Sequence, residues 1–244
     1  MAILKFKAND NDWRSIGLDG IGTHEMYGAI GDGKNDDTNA VKTAIANHKY
    51  VIATQDYLVT ETIELHAATY TNDRRIFELR GSLILGNDES IVHVHGENVT
   101  LCGGGVIRKG AGEAYYVNSD NYNNSDFEGD IVVVGALKYT GTNITPDSAS
   151  EGQKVSAIRC TIKDLTIIND NPEYKALSGI TLRNYFLSNY GCYCNTIDNI
   201  YCIGTITGID MAGDVNANNI SNIIMRSLPL DKGANDITIK NIGV

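Results

Sequence analysis

Ile162-Lys163-Asp164-Leu165-Thr166-Ile167 recurs downstream as Ile197-Asp198-Asn199-Ile200-Tyr201-Cys202, as Ile220-Ser221-Asn222-Ile223-Ile224-Met225 and as Ile239-Lys240-Asn241-Ile242-Gly243-Val244. Asn98-Val99-Thr100-Leu101 shares the Asn-apolar start but lacks the isoleucine two positions earlier. The closest spacings are roughly 19–23 residues, the size of one coil in a repeat protein. Asn and Asp enter the left-handed backbone region more readily than other non-glycine residues. Each unit therefore reads as strand, sharp bend, strand. The apolar residues on either side of the bend point into a narrow core that one unit cannot bury alone. Stacked amides at successive bends can also hydrogen-bond from coil to coil. A second series, Gly179-Ile180-Thr181-Leu182 and Gly208-Ile209-Asp210-Met211, falls between these units. The expected fold is all-β, a parallel β-helix (solenoid) with coils about 4.8 Å apart. A β-sandwich with Asn turns is the alternative.

Composition narrows the function classes. At 244 residues and 42% hydrophobic content the chain suits a single β-solenoid domain. No apolar run approaches the ~18 residues of a transmembrane helix, and Met1 to Ala8 lacks the apolar region of a secretory signal. A net charge of −10 argues against nucleic acid or an anionic membrane as partner. The odd count of 5 cysteines (Cys102, Cys160, Cys192, Cys194 and Cys202) reads as reduced thiols. Cys192 and Cys194 are placed on one strand face by their spacing. Paired Cys or His clusters at zinc spacing are missing, so no metal and no cofactor is expected.

One helix is signalled. Asp36, Asp37 and Thr38 offer N-cap oxygens, and Val41, Ala44, Ile45 and His48 form one apolar stripe ending near Asn47. Gly28 to Gly33 precedes it as a turn-rich segment, without the G-K-[ST] of a phosphate loop. Short β-branched runs follow at 51–53, 57–59, 63–65, 76–79, 82–85, 91–94 and 99–101, as strands should. An insertion at 109–154 holds one further buried run, Ile131-Val132-Val133-Val134. Tyr115, Tyr116, Tyr122 and Tyr139 lie in it among Asn, Asp and Ser, a mix that can stack on sugar rings and bond their hydroxyls. A partner-covered surface loop is the other reading of this long segment.

Tyr27-Gly28-Ala29-Ile30-Gly31-Asp32-Gly33-Lys34-Asn35-Asp36-Asp37-Thr38 resembles the F/Y-G-A-x-G-D-G-x-x-D-D-T opening of the pectate-lyase-superfamily, glycoside-hydrolase-28-like β-helix proteins. That family includes many bacteriophage tailspikes and appendages. Asn98 to Ile107 is similar to its N-V-T-I-x-G-G-G-x-I coil. The resemblance implies a right-handed parallel β-helix whose open N-terminal end is capped by the helix near 38–47. In the motif, Gly28 and Gly33 serve the turn, and Asp32, Asp36, Asp37 and Thr38 the cap. It further implies one β-helix domain over 26–244, with 1–25 as a leader for virion attachment, and by analogy a homotrimer. Ile242-Gly243-Val244 stops within a repeat unit, so either a partner covers that end or the chain continues.

Activity is less specified. Family hydrolases carry N-T-D, D-D and G-H-G motifs; here Asn195-Thr196-Ile197-Asp198 is N-T-x-D, and no G-H-G occurs. No arginine base with calcium-binding aspartates is recognisable. A hydrolytic carboxylate pair needs about 5–5.5 Å or about 6.5–9.5 Å of separation; Asp170 and Glu173 are candidates to pair with Asp198 or Asp210. His93 and His95 share one strand face, with His66 on a neighbouring coil, as packing groups or as proton shuttles. The expected function is a phage-like virion tailspike or appendage that is assembled in host cytoplasm and binds host-surface polysaccharide. Depolymerisation by hydrolysis or elimination is its expected chemistry if catalytic. A cellular or secreted pectin-type lyase or hydrolase and a non-catalytic virion connector are the alternatives.

Overall fold

The computed structural model describes residues 4–9, 12–16, 20–68, 73–87, 90–109, 130–137, 155–169, 178–184, 191–205, 207–213, 215–226, 237–239 and 242–243. Among these the chain is mostly β-strand in long parallel sheets, with one α-helix, Thr38–Asn47, and a 3₁₀ turn, His24–Tyr27. No helix of the described residues is long and apolar enough to cross a membrane.

Most strands fall into three strips, each a ladder of parallel neighbours; Leu4–Asn9 instead pairs antiparallel with Asp12–Ile16, and Ile237–Ile239 and Ile242–Gly243 pair antiparallel with Asn219–Arg226, so the last isoleucine-led unit does not extend the parallel ladder. The first joins Ile21–Gly22, Tyr50–Ala53, Arg75–Leu79 and Val99–Cys102 to the front halves of Thr161–Asn169, Thr196–Ile203 and Asn219–Arg226. The second joins Asp32–Asp36, Asp56–Val59, Ser82–Leu85 and Val106–Lys109 to the back halves of the same long strands. The third joins Ile63–Ala67, Val92–Glu97, Val132–Gly135, Ser178–Asn184 and Thr207–Gly213. From Tyr50 onward the chain visits first, second and third strips in order and then returns to the first. Parallel strands cannot be joined by a tight hairpin, so each return needs intervening chain.

Register aligns like with like. Val51, Phe77, Leu101, Ile162, Ile197 and Ile220 pair in sequence along the first strip, and all are buried. Tyr57, Leu83, Ile107, Ile167 and Cys202 do the same on the second. Ile63, Val92, Val132 and Ile180 do so on the third. One cluster contains all three columns. Each completely buried aliphatic side chain contributes about 1.5–3 kcal/mol.

The bends form two columns. Asp164, Asn199 and Asn222 have φ of 55°, 52° and 53°, as the repeat predicts. Asn98 (59°) belongs to the other column, because Thr100 pairs with Thr161; its counterparts are Arg159 (54°), Cys194 (59°) and Ala217 (53°). The partner of Asp164 in the preceding unit is Gly103. The isoleucine missing before Asn98 marks this difference. The amide ladder is real at the surface, where Asn199 Nδ2 donates to Asp164 Oδ1 at 2.8 Å. A second one lies inside: Asn195 Nδ2 donates to Asn218 Oδ1 at 3.0 Å, and Asn195 Oδ1 accepts from the Cys160 N–H at 2.9 Å.

The Tyr27–Thr38 motif closes on its own carboxylates. Asp37 accepts from the Ile30 and Gly31 amides (2.7 and 3.0 Å), and Asp32 Oδ1 from the Lys34 and Asn35 amides (both 2.9 Å). Asp36, not Asp37, bonds the Thr38 amide at 2.9 Å. Asp37 is thus the N-cap by position while its side chain holds the preceding turn. Gly28 and Gly33 carry φ of 89° and 69°. The helix packs on the His24–Tyr27 turn and on strands Asp56–Val59 and Ile63–Ala67, burying Val41 and Ala44. Ile45 is partly buried, and His48 is the extended residue after the helix. Ile21–Gly22 already pairs with Tyr50–Val51, within the stretch read from sequence as a leader.

Cys192 is buried and Cys194 exposed. The C-x-C spacing does not keep them on one face, because Cys194 sits at the left-handed bend where the strand ends. All the cysteines are free thiols. Burial pushes the thiols of Cys160, Cys192 and Cys202 up to about 11, 12 and 12.

Two measurements follow from this packing. Non-glycine residues pay about 1 kcal/mol in the left-handed region, so Ala217→Gly is expected to raise the melting temperature by about 2–4 °C; a lower melting temperature contradicts the assigned bend. His24 is completely buried against Tyr57 and Phe77, and among the described residues neither ring nitrogen has a hydrogen-bond partner. Burial lowers its pKa from 6.5 to about 4. The unfolded chain therefore takes up a proton that the folded chain refuses. Its stabilising contribution is whole above pH 6.5, declines as pH falls from 6.5 to about 4, and levels off below. The loss is about 3 kcal/mol at about 1.36 kcal/mol per unit. Urea midpoints of wild type and His24→Phe, compared at pH 7 and pH 4.5, should show the smaller acid loss in the variant; equal losses refute the burial effect.

Candidate functional site

In strand Ile63–Ala67 the burial alternates, with Ile63, Leu65 and Ala67 inward and Glu64 and His66 outward. Strand Val92–Glu97 lies beside it in parallel register, pairing His93 with Glu64 and His95 with His66. Side chains at paired positions of adjacent strands share a face and lie in contact range. The register therefore assembles three imidazoles and a carboxylate from two short strands.

The group is tightly knit. Glu64 Oε2 lies 2.6 Å from His93 Nδ1 and 2.8 Å from His95 Nε2. His93 is 1% exposed, and its Nε2 meets the Gly135 carbonyl at 2.6 Å. A carbonyl only accepts, so Nε2 is the donor in that bond. The His93 and His95 rings stack at 4.3 Å between centroids, and the His66 ring lies 4.8 Å from that of His95. Burial opposes ionisation of Glu64, but the bonds from His93 and His95 outweigh it and bring the carboxyl down to about 2. For His95 burial wins: its pKa is lowered, with His93 and His66 adding to the effect and Glu64 opposing it.

A groove of about 640 Å³ opens over this face. Glu64, His66, His93 and His95 form its floor, with Lys42 and Ile45 of the helix, Arg75, Leu137 and Val155 around them. Lys42 pairs with Glu61, and Arg75 with Asp73, so both cations are held at the rim.

The same outward face continues along the third strip. His93 pairs with Val133, Val133 with Thr181 and Thr181 with Asp210. Beneath this row, buried Asp130 accepts from Thr181 Oγ1 at 2.8 Å and from the Arg183 guanidinium at 2.5 Å. Burial pushes the Asp130 carboxyl up against the pull of Arg183, and nearby Asp210 pushes the same way.

The candidates named from sequence fare unequally. Asp210 lies on the face that carries the histidines, three strand steps from His93, or about 14 Å at about 4.8 Å per step. Asp198 lies on the first strip, where Ser221 and Asn222 donate to it and hold its pKa low. Asp198 and Asp210 occupy different strips and make no pair. Asn195 of the N-T-x-D run is buried in the amide ladder and is structural. Asp170, Glu173, Tyr115, Tyr116, Tyr122 and Tyr139 lie outside the described residues. Glu64 was not singled out from sequence; aligning Ile63-Glu64-Leu65-His66-Ala67 over Val92-His93-Val94-His95-Gly96 is the signal that finds it. No protein-family model matches the chain, and no curated protein matches it.

Removing one member of a buried ion pair strands the other, at a cost of about 3–5 kcal/mol. Asp130→Ala is accordingly expected to lose that much in chemical denaturation, and a loss below about 1 kcal/mol contradicts a closed Asp130–Arg183 pair.

Proposed function

We propose that the three strips are the faces of a right-handed parallel β-helix, capped at its N-terminal end by Thr38–Asn47. We propose further that the chain is a phage-like virion appendage of the tailspike type that binds host-surface polysaccharide. The observation that carries this reading is the groove at Glu64, His66 and His95, which runs over the outward face of parallel strands. Imidazole, carboxylate, ammonium and guanidinium groups converge there, a set that bonds sugar hydroxyls from several directions. The Tyr27–Thr38 motif supports the class through its resemblance to β-helix appendages. On this reading the chain assembles as a homotrimer, docks to other virion proteins through its first residues and acts at the host surface.

A polysaccharide lyase or hydrolase is the second reading, favoured by His95, whose burial disfavours the charged imidazolium, as suits a general base. Binding to purified host polysaccharides, with product masses read in the same samples, separates the two. Retention of intact polysaccharide is expected for an appendage. His66→Ala and Lys42→Ala should each weaken retention by about tenfold, or about 1.4 kcal/mol. Shortened chains favour the enzyme. No retention of any polysaccharide by folded protein removes the glycan reading and leaves a connector.

A further inference from the structure

We propose that Glu64, His93 and His95 form a binding site for a divalent transition metal such as Zn²⁺ or Co²⁺, with an open coordination position facing the groove. The proposal does not depend on glycan binding, since the metal would bind whether or not a sugar does.

The donor set comes first. Glu64 Oε2, His93 Nδ1 and His95 Nε2 lie within 4.8 Å of one another, each on an outward position of two adjacent strands. Two imidazoles and a carboxylate are the three protein ligands of many open zinc sites, in which the fourth position holds water or substrate. Nitrogen-rich sets favour first-row transition ions over Ca²⁺ and Mg²⁺, which want oxygen ligands.

The surroundings also fit. A ligating histidine normally donates its other ring N–H to a carbonyl or carboxylate, which fixes its tautomer and aims its lone pair. His93 does this at the Gly135 carbonyl, so Nδ1 is the nitrogen that faces Glu64, and a metal taking that position would displace the proton now shared between Nδ1 and the Glu64 carboxylate. The backbone of Gly135 is held in turn by the Arg183 strand, through parallel pairing and the Ala136 amide bond to the Arg183 carbonyl at 3.0 Å. His95 packs against the rings of both His93 and His66, its neighbours along and across the strands. Glu64 supplies the carboxylate oxygen of the set.

Tetrahedral ligands at about 2.0–2.1 Å from zinc stand about 3.3 Å from one another. The two separations to Glu64 Oε2, 2.6 and 2.8 Å, would open by well under an ångström, while the two histidine nitrogens, within 4.8 Å of one another, would settle to that spacing by side-chain rotation. Glu64 is the half-exposed member of the set. Access is through the groove, which reaches the cluster on the side away from the strands' buried face.

Tag-free protein titrated with Co²⁺ should take up one equivalent, with visible absorption bands of a four- or five-coordinate site that Zn²⁺ abolishes and Ca²⁺ leaves unchanged. Glu64→Gln and His95→Ala, each checked for native circular dichroism, should weaken Co²⁺ binding at least about 100-fold. His66→Ala and Cys194→Ser should keep the bands and the stoichiometry. No stoichiometric uptake by folded wild type overturns the proposal. So does binding that survives Glu64→Gln, or binding lost with Cys194→Ser.

Discussion

Parallel backbone pairing between strands far apart in the chain is the constraint on which the rest depends. A strand's side chains alternate between faces, so a slip of one residue would turn its whole apolar set outward. Three buried columns, Val51 to Ile220, Tyr57 to Cys202 and Ile63 to Ile180, oppose such a slip together. The left-handed bends keep the strips in phase, because four successive units, from Asn98 to Asn222, turn at the same two register positions. Polar ladders then fill what apolar packing leaves. Asn195 and Asn218 satisfy buried amides, and Asn199 with Asp164 does the same at the surface.

The same register that hides isoleucines on one side gathers titratable groups on the other. Neither Ile63–Ala67 nor Val92–Glu97 carries a site alone. Their one-to-one alignment places His93 against Glu64 and His95 against His66, and the Gly135 carbonyl of the next strand fixes His93 from behind. The chemistry of this face is thus a product of pairing across sequence gaps, and the helix contributes by walling one edge of the groove with Lys42 and Ile45.

Much of this was legible in the sequence. The isoleucine-led repeat marked the strands and the left-handed turns at Asp164, Asn199 and Asn222, and short β-branched runs marked most other strands. Three features were not legible, for physical reasons. Asn98 resembles the repeat locally, but bend identity is set by cross-strand register, which puts it with Arg159, Cys194 and Ala217. Asp36 and Asp37 look equivalent as caps, yet the tight turn at Gly31 claims the Asp37 carboxylate. Glu64 is one glutamate among many until the partner strand is known. Asp198 and Asp210, each read as a possible partner of Asp170 or Glu173, lie on different strips, a spacing that a linear sequence does not display.

The most direct measurement is disulfide capture across the strands that build the site. His66 and His95 are register partners on the outward face, and Cα atoms about 4.4–6.8 Å apart can be bridged. In the double variant His66→Cys/His95→Cys, mild oxidation should give an intramolecular bridge between positions 66 and 95, identified by peptide mapping under non-reducing conditions. Folded protein in which those positions stay reduced, or pair with other cysteines instead, would contradict the register and the site built on it.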